Sequence, residues 1–173
     1  QFRFEEWKTP PAPLDAVRPR FPHFPKLSFA EFLDAVDLVS LAYLEHVPLN
    51  PFTATLGQYT HRFLRTFVKD HLALVRTLDE AALAPDVIRA RMYPVHFLCT
   101  HRLNGDLHAF LLALGYPADA IRFILEEGKI LPPGGTRRNT DGWEDHYTPE
   151  LKAVVRQKER LMFGLFPEFE PTP

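Results

Sequence analysis

Seventeen prolines in 173 residues set the outer limits of any fold open to this chain. Each fixes φ and removes a backbone donor, which closes helix interiors and central strands to it. Six of them, Pro10, Pro11, Pro13, Pro19, Pro22 and Pro25, fall within residues 1–27. That stretch is expected to be an extended arm, neither helix nor central strand. Its rings, Phe2, Phe4, Trp7, Phe21 and Phe24, are too many for a solvated linker. The preferred reading is that they cover the domain's own core, with docking onto another chain as the alternative.

Between the remaining prolines the apolar spacing is mostly helical. Ser28-Phe29-Ala30-Glu31 is a capping box, with serine and glutamate each placed to satisfy the other's end of the first turn. It predicts a helix to about His46, ended by Pro48 and Pro51. A second helix is expected from about Thr53 to Leu78. It would turn Leu56, Tyr59, Phe63, Phe67, Leu74 and Leu78 to a core and show Arg62, Arg65, Lys69 and Arg76 elsewhere. Those four cations read first as a solvated face and second as a surface for an anionic substrate. Pro85 opens a short helix to Arg91. Tyr93 to Cys99 reads as a short, buried, apolar strand, and an unpaired strand invites another chain to its edge. Two helices follow, Asn104 to Leu114 and Pro117 to Glu127, with Gly115 as the stop between them. Thr148-Pro149-Glu150 caps a last helix that runs toward Phe169. As it stands, the chain is mostly α.

The totals exclude several function classes. A net charge of −2 argues against a general nucleic-acid or anionic-membrane binder, which would carry a basic excess. No run of 18 apolar residues exists to span a bilayer. The lone Cys99 cannot form an internal disulfide and fits a reducing compartment, the cytoplasm or an organelle lumen without disulfides. Gln1 is not an initiator methionine, and the first residues lack a signal-peptide pattern, so processing, truncation or incomplete sequencing at this end is expected. Length alone suggests a single domain.

Chemistry concentrates between Gly134 and Pro149. Arg137 and Arg138 lie among Gly134, Gly135 and Gly142, and such a loop is able to seat an anion, because arginine forks match phosphate and glycine lets backbone N–H groups approach. A surface connection with Pro132, Pro133 and an Asp-Gly pair has the same composition, so both readings stand. The eight histidines show no ligand spacing and no metal is expected. His96 lies three residues from Cys99 and would face the opposite side of a strand, which makes Cys99 a buried structural cysteine. No paired carboxylates stand out.

The run Arg137-Arg138-Asn139-Thr140-Asp141-Gly142-Trp143-Glu144-Asp145-His146-Tyr147-Thr148-Pro149-Glu150 resembles the C-terminal signature of the sulfotransferases that use 3′-phosphoadenosine-5′-phosphosulfate (PAPS): Arg-Lys-Gly, a spacer, Gly-Asp-Trp-Lys-Asn, an aromatic, then threonine and a helix. Thr100 to Leu107 with Phe110 to Pro117 is similar to that family's late strand, turn and next helix, and Leu151 to Phe169 to its final helix and tail. The resemblance covers Ser28 to Phe169. It implies the C-terminal helical half of an α/β, P-loop-like fold with a parallel sheet, preceded by the arm over residues 1–27 and followed by a tail at 170–173. It further implies transfer of a sulfuryl group from PAPS to a hydroxyl or amine. Arg137 and Arg138 would hold the 3′-phosphate of PAPS or of adenosine 3′,5′-bisphosphate, aided by Gly142 and Trp143. Asn139 replaces the glycine of Arg-Lys-Gly, which keeps the charge and loses the close approach. The phosphate-binding loop and the general base match no residue here, so a missing N-terminal half or another protein chain is the implied partner. The alternative is a non-catalytic, sulfotransferase-derived interaction subunit of a larger assembly.

Overall fold

The computed structural model describes residues 17–42, 50–127 and 146–169. The described chain is mostly helical. Among the described residues there is no strand, and the one β-type pairing is an isolated antiparallel bridge between Val68 and Met92. Contacts divide the chain into two compact units, Gln1–Tyr93 with Gly142–Pro173 and Pro94–Asp141.

In the first unit, helix α1 (Phe29–Ala42) begins at the capping box. Glu31 Oε2 accepts from the Ser28 N–H and hydroxyl at 2.8 Å each, and the Glu31 N–H donates to Ser28 Oγ at 3.3 Å. The Ser28 backbone N–H, then its hydroxyl, hold the Glu31 carboxyl below its usual range. Upstream the arm departs from its expected extended form, because residues 17–20 are helical. The turn closes through the Phe21 N–H on the Val17 carbonyl at 3.0 Å, a bond that Pro19 does not interrupt. Val17 and Phe21 are buried with Ala35 and Val39, and Phe24, Leu27 and Leu38 pack around them. These two rings of the arm therefore cover the chain's own core. Phe2, Phe4 and Trp7 lie outside the described residues.

The single helix expected from Thr53 to Leu78 is three pieces: a 3-10 turn at Pro51–Thr55, α2 (Gln58–Phe67) and α3 (His71–Thr77). Tertiary hydrogen bonds break the ladder. At one break the Gly57 N–H donates to the Lys158 carbonyl at 3.0 Å. At the other, Lys69 N–H reaches the Arg91 carbonyl and Tyr93 N–H the Phe67 carbonyl, both at 2.9 Å, and Asp70 takes left-handed φ of 53°. Helix α4 (Pro85–Arg91) keeps proline at its first position, as expected.

At the C-terminus, Thr148 Oγ1 accepts from the Leu151 N–H at 3.3 Å to cap the last helical run. That run is α8 (Pro149–Lys158) and α9 (Arg160–Leu165), offset at Glu159, the three helices α5 to α7 belonging to the second unit. Leu56, Phe63, Leu64, Val68, Leu74, Leu78, Leu83, Ile88, Leu161 and Leu165 form the main core. Tyr59 departs from its expected place there and is 65% exposed.

The second unit holds a 3-10 turn at Thr100–Arg102, then α5 (Leu103–Ala113), α6 (Ala118–Ile121) and α7 (Phe123–Glu126). Gly115, at φ of 87°, ends α5 in a reverse turn closed by Gly115 N–H on the Leu112 carbonyl and Tyr116 N–H on that of Leu111. Ile121 and Ile124 are buried, while Leu114 and Leu125 are 60% and 53% exposed. The strand expected over 93–99 is absent. Residues 95–99 have no regular structure, and Tyr93 and Val95 are exposed. Pro94 lacks a donor, and Cys99 turns its N–H to Asp106 Oδ2 at 2.9 Å rather than to a ladder. The apolar run reads as a strand, but a strand forms only where another strand meets it.

Candidate functional site

The described residues make their densest polar arrangement where three consecutive side chains, Lys158, Glu159 and Arg160, reach three different parts of the first unit. Lys158 Nζ donates to Asp37 Oδ2 at 2.7 Å and lies 3.3 Å from Asp34 Oδ1, both on α1. Asp37 uses its other oxygen to accept the Gln58 N–H at 3.1 Å. Arg160 forms a fork on Glu80, with bonds of 2.9 and 2.8 Å, and its guanidinium lies 5.3 Å from the centre of the Phe52 ring.

Glu159 is the centre of this arrangement. It is 7% exposed, and its carboxylate accepts from the Tyr59 N–H at 2.9 Å, the Thr60 N–H at 2.7 Å and the Thr60 hydroxyl at 2.8 Å. Those N–H groups belong to the first turn of α2, whose cap residue, Gly57, has no side chain to offer. A helix start leaves N–H groups unpaired and carries partial positive charge, and here a carboxylate from a residue about 100 positions away supplies the missing cap. A Cβ on Gly57 would collide with the Glu159 carboxyl group, so glycine is required for this approach.

Burial pushes the Glu159 carboxyl up from 4.5, against the Thr60 and Tyr59 hydrogen bonds that favour its charged form. Burial works to lower the Lys158 ammonium, but the hydrogen bond and charge of Asp37, seconded by Asp34, outweigh it and raise it above 10.5. One helical turn into α2, His61 is buried, and its Nε2 finds no hydrogen-bond partner among the described residues. Burial holds its imidazole below 6.5, only partly opposed by the Thr53 and Leu56 carbonyls and Asp37.

The sign of each pH effect follows. His61 binds a proton more readily in the unfolded chain, so its contribution to stability is present above about pH 6.5 and is lost as pH falls toward its folded value. Glu159 runs the other way: its contribution is fully present below pH 4.5 and is lost as pH rises through its raised folded value. Replacing His61→Leu is therefore expected to reduce the loss in urea midpoint between pH 7.5 and 5.5. An identical loss in variant and parent would mean that His61 does not titrate as its burial requires.

Beside these groups a cleft of about 60 Å³ is lined by Leu33, Val36, Tyr59, Tyr147, Val154 and Lys158, among others. Since one water needs about 10–15 Å³ of such space, this is room for a few waters. The N-terminus of α2, the place where a phosphate would be favoured, is already filled by Glu159. This centre is built to fasten helices.

Arg137, Arg138, Gly142 and Trp143 lie outside the described residues. Their nearest described neighbours in sequence, His146 and Tyr147, pack on Phe29 at the start of α1, with ring centroids 5.6 and 4.9 Å away. Among the described residues no group of three or more His, Cys, Asp or Glu side chains is placed to hold a metal, and no helix is long and apolar enough to cross a membrane. Cys99, expected to be buried, is half-buried, with Arg102 Nη2 3.4 Å from its sulfur. His96 stacks on Phe110 at 4.6 Å. No family model matches the chain, nor does any curated protein or solved structure.

Sequence reasoning did not single out Glu159. One signal was available. Gly57 brings no side-chain acceptor to a helix start, which leaves room there for an acceptor from elsewhere in the chain.

Proposed function

We propose that this chain is the C-terminal helical part of a PAPS-dependent sulfotransferase, which moves a sulfuryl group from PAPS to a hydroxyl or amine. The observation that carries the reading is the order of residues from Arg137 to Glu150: an arginine pair, a short spacer, Gly142-Trp143, an aromatic, and a threonine-capped helix. Its last part agrees with the geometry, since Thr148 caps α8 and Pro149 takes the first position. In such an enzyme the acceptor lies in line with the transferred group, and cationic donors stabilise charge on the leaving phosphate. Arg137 and Arg138 would serve the 3′-phosphate, as bidentate partners that remain charged at any working pH. The 5′-phosphosulfate loop and the general base would come from another part of the protein or from a partner.

Titration calorimetry with adenosine 3′,5′-bisphosphate tests this. Micromolar binding is expected, and it is expected to vanish in the double variant Arg137→Ala, Arg138→Ala while far-UV circular dichroism stays unchanged. Binding that survives in the double variant would overturn the site assignment.

A second reading, a non-catalytic interaction subunit, is favoured by one observation. The segment expected to supply a sheet strand is not a strand, and it leaves Tyr93 and Val95 50% and 41% exposed. An excess of bound partner chain over nucleotide binding in a purified complex would support it.

A further inference from the structure

The cleft beside Glu159, between α1, the start of α2 and α8, has a chemical character of its own. Leu33 and Val36 of α1 and Val154 and Val155 of α8 give it apolar walls, and Tyr59 and Tyr147 also line it. Tyr147 meets Phe29 edge-on, with centroids 4.9 Å apart and planes at 75°, which holds its ring. Tyr59 is 65% exposed, so its ring is open to a molecule arriving from solvent.

The polar lining has acceptors to spare. A carboxylate offers about four lone-pair sites, so Asp37 and Glu159 bring about eight to the cleft. Asp37 accepts from the Gln58 N–H and Lys158 Nζ, and Glu159 accepts from the Tyr59 N–H, the Thr60 N–H and the Thr60 hydroxyl. Lys158 is the one cation in the lining among the described residues, and its ammonium already serves Asp34 and Asp37. Charge points the same way. The carboxylates of Asp34, Asp37 and Glu159 are balanced by that ammonium and by the start of α2, which counts for roughly +0.5, so these groups keep a negative excess of about 1.5.

We propose that this cleft binds a short primary alkylammonium ion. Its N–H groups would meet the remaining acceptor sites of Asp37 and Glu159, its charge would lie by the Tyr59 and Tyr147 rings, whose faces attract cations, and its chain would pack on Leu33, Val36 and Val154. An anion of the same size would meet the carboxylates instead, and a neutral molecule would leave the negative excess unanswered. The space sets the length of the chain. About 60 Å³ is roughly four to six times what one water needs, which suits a ligand of about five heavy atoms, such as n-butylammonium. Nothing in this inference depends on the sulfotransferase reading.

The test is an amide NMR titration of the full chain with n-butylammonium chloride at neutral pH. Saturable shifts are expected at Gln58, Tyr59 and Val154, with a dissociation constant in the millimolar range that so few heavy atoms allow. Butyrate and 1-butanol, matched in length, are expected to bind at least about tenfold more weakly. Val154→Phe, at a 44% exposed position on the wall, fills the space and is expected to weaken binding about tenfold or more, whereas Val87→Phe, at a 42% exposed valine outside the cleft, should bind like the parent. Tyr59→Ala keeps the backbone N–H that serves Glu159 and is expected to weaken binding about two- to fivefold, as the loss of one exposed cation–π contact requires. If Val154→Phe fails to fold, Tyr59→Ala decides. Butyrate or 1-butanol binding as tightly as the ammonium ion would overturn the proposal. So would unchanged binding in a folded Val154→Phe or in Tyr59→Ala, or no saturable shift up to about 100 mM amine.

Discussion

Glu159→Ala is expected to destabilise the first unit by about 3 kcal/mol, since it leaves the Tyr59 N–H, the Thr60 N–H and the Thr60 hydroxyl without their acceptor inside the protein. The loss is smaller than the sum of three broken charged bonds, because the variant also removes a carboxylate that is costly to bury. Gly57→Ala attacks the same contact from the other side, as its Cβ would occupy the space of the Glu159 carboxyl group. The two changes should therefore be strongly non-additive, with the double variant little worse than Glu159→Ala alone. Urea unfolding of the four proteins measures this directly. A parent-like Glu159→Ala, within about 0.5 kcal/mol, or simple additivity in the cycle, would show that the carboxylate does not fasten α2.

Ile88→Ala should cost about 3–4 kcal/mol, within the range for emptying a fully buried branched side chain. Ile88 is 0% exposed on α4 and belongs to the core with Leu74, Leu78, Leu83 and Leu165. Its neighbour Val87 is 42% exposed on the same helix, and Val87→Ala should change stability by less than about 0.5 kcal/mol. The pair separates burial from helix propensity, which rises in both variants because alanine replaces a β-branched residue. Similar losses at the two positions would mean that α4 is not packed as its exposure pattern indicates. A large loss at Ile88 alone supports a core that joins α3, α4 and α9.

Local punctuation was legible because its physics is local. Ser28 and Glu31 lie three residues apart and satisfy each other's backbone, Pro85 and Pro149 occupy first positions where no donor is needed, and Gly115 adopts the φ that side chains disfavour. The interior of the long helix from Thr53 to Leu78 was not legible. Its pattern is helical throughout, but the ladder breaks where backbone N–H groups of Gly57 and Lys69 find carbonyls distant in sequence. The segment from Tyr93 to Cys99 failed in the opposite sense, since it has strand residues and, among the described residues, no strand to pair with. As for the candidate site, the arginine pair was visible as residue types, whereas Glu159 was not singled out, because its partners lie about 100 residues away.

What the amino-acid sequence determined alone is a mostly helical chain, the caps and prolines that start and stop its helices, and a cationic face on α2 free of acidic residues. Such features arise from contacts within one helical turn, so no other part of the chain has to be known. Only the tertiary structure decided that one helix would become three, that an apolar run would stay out of a sheet, and that Lys158, Glu159 and Arg160 would fasten the C-terminal helices to the rest of their unit. Each depends on which distant donor meets which acceptor, and burial, which strengthens those bonds and penalises their absence, exists only once the chain has folded.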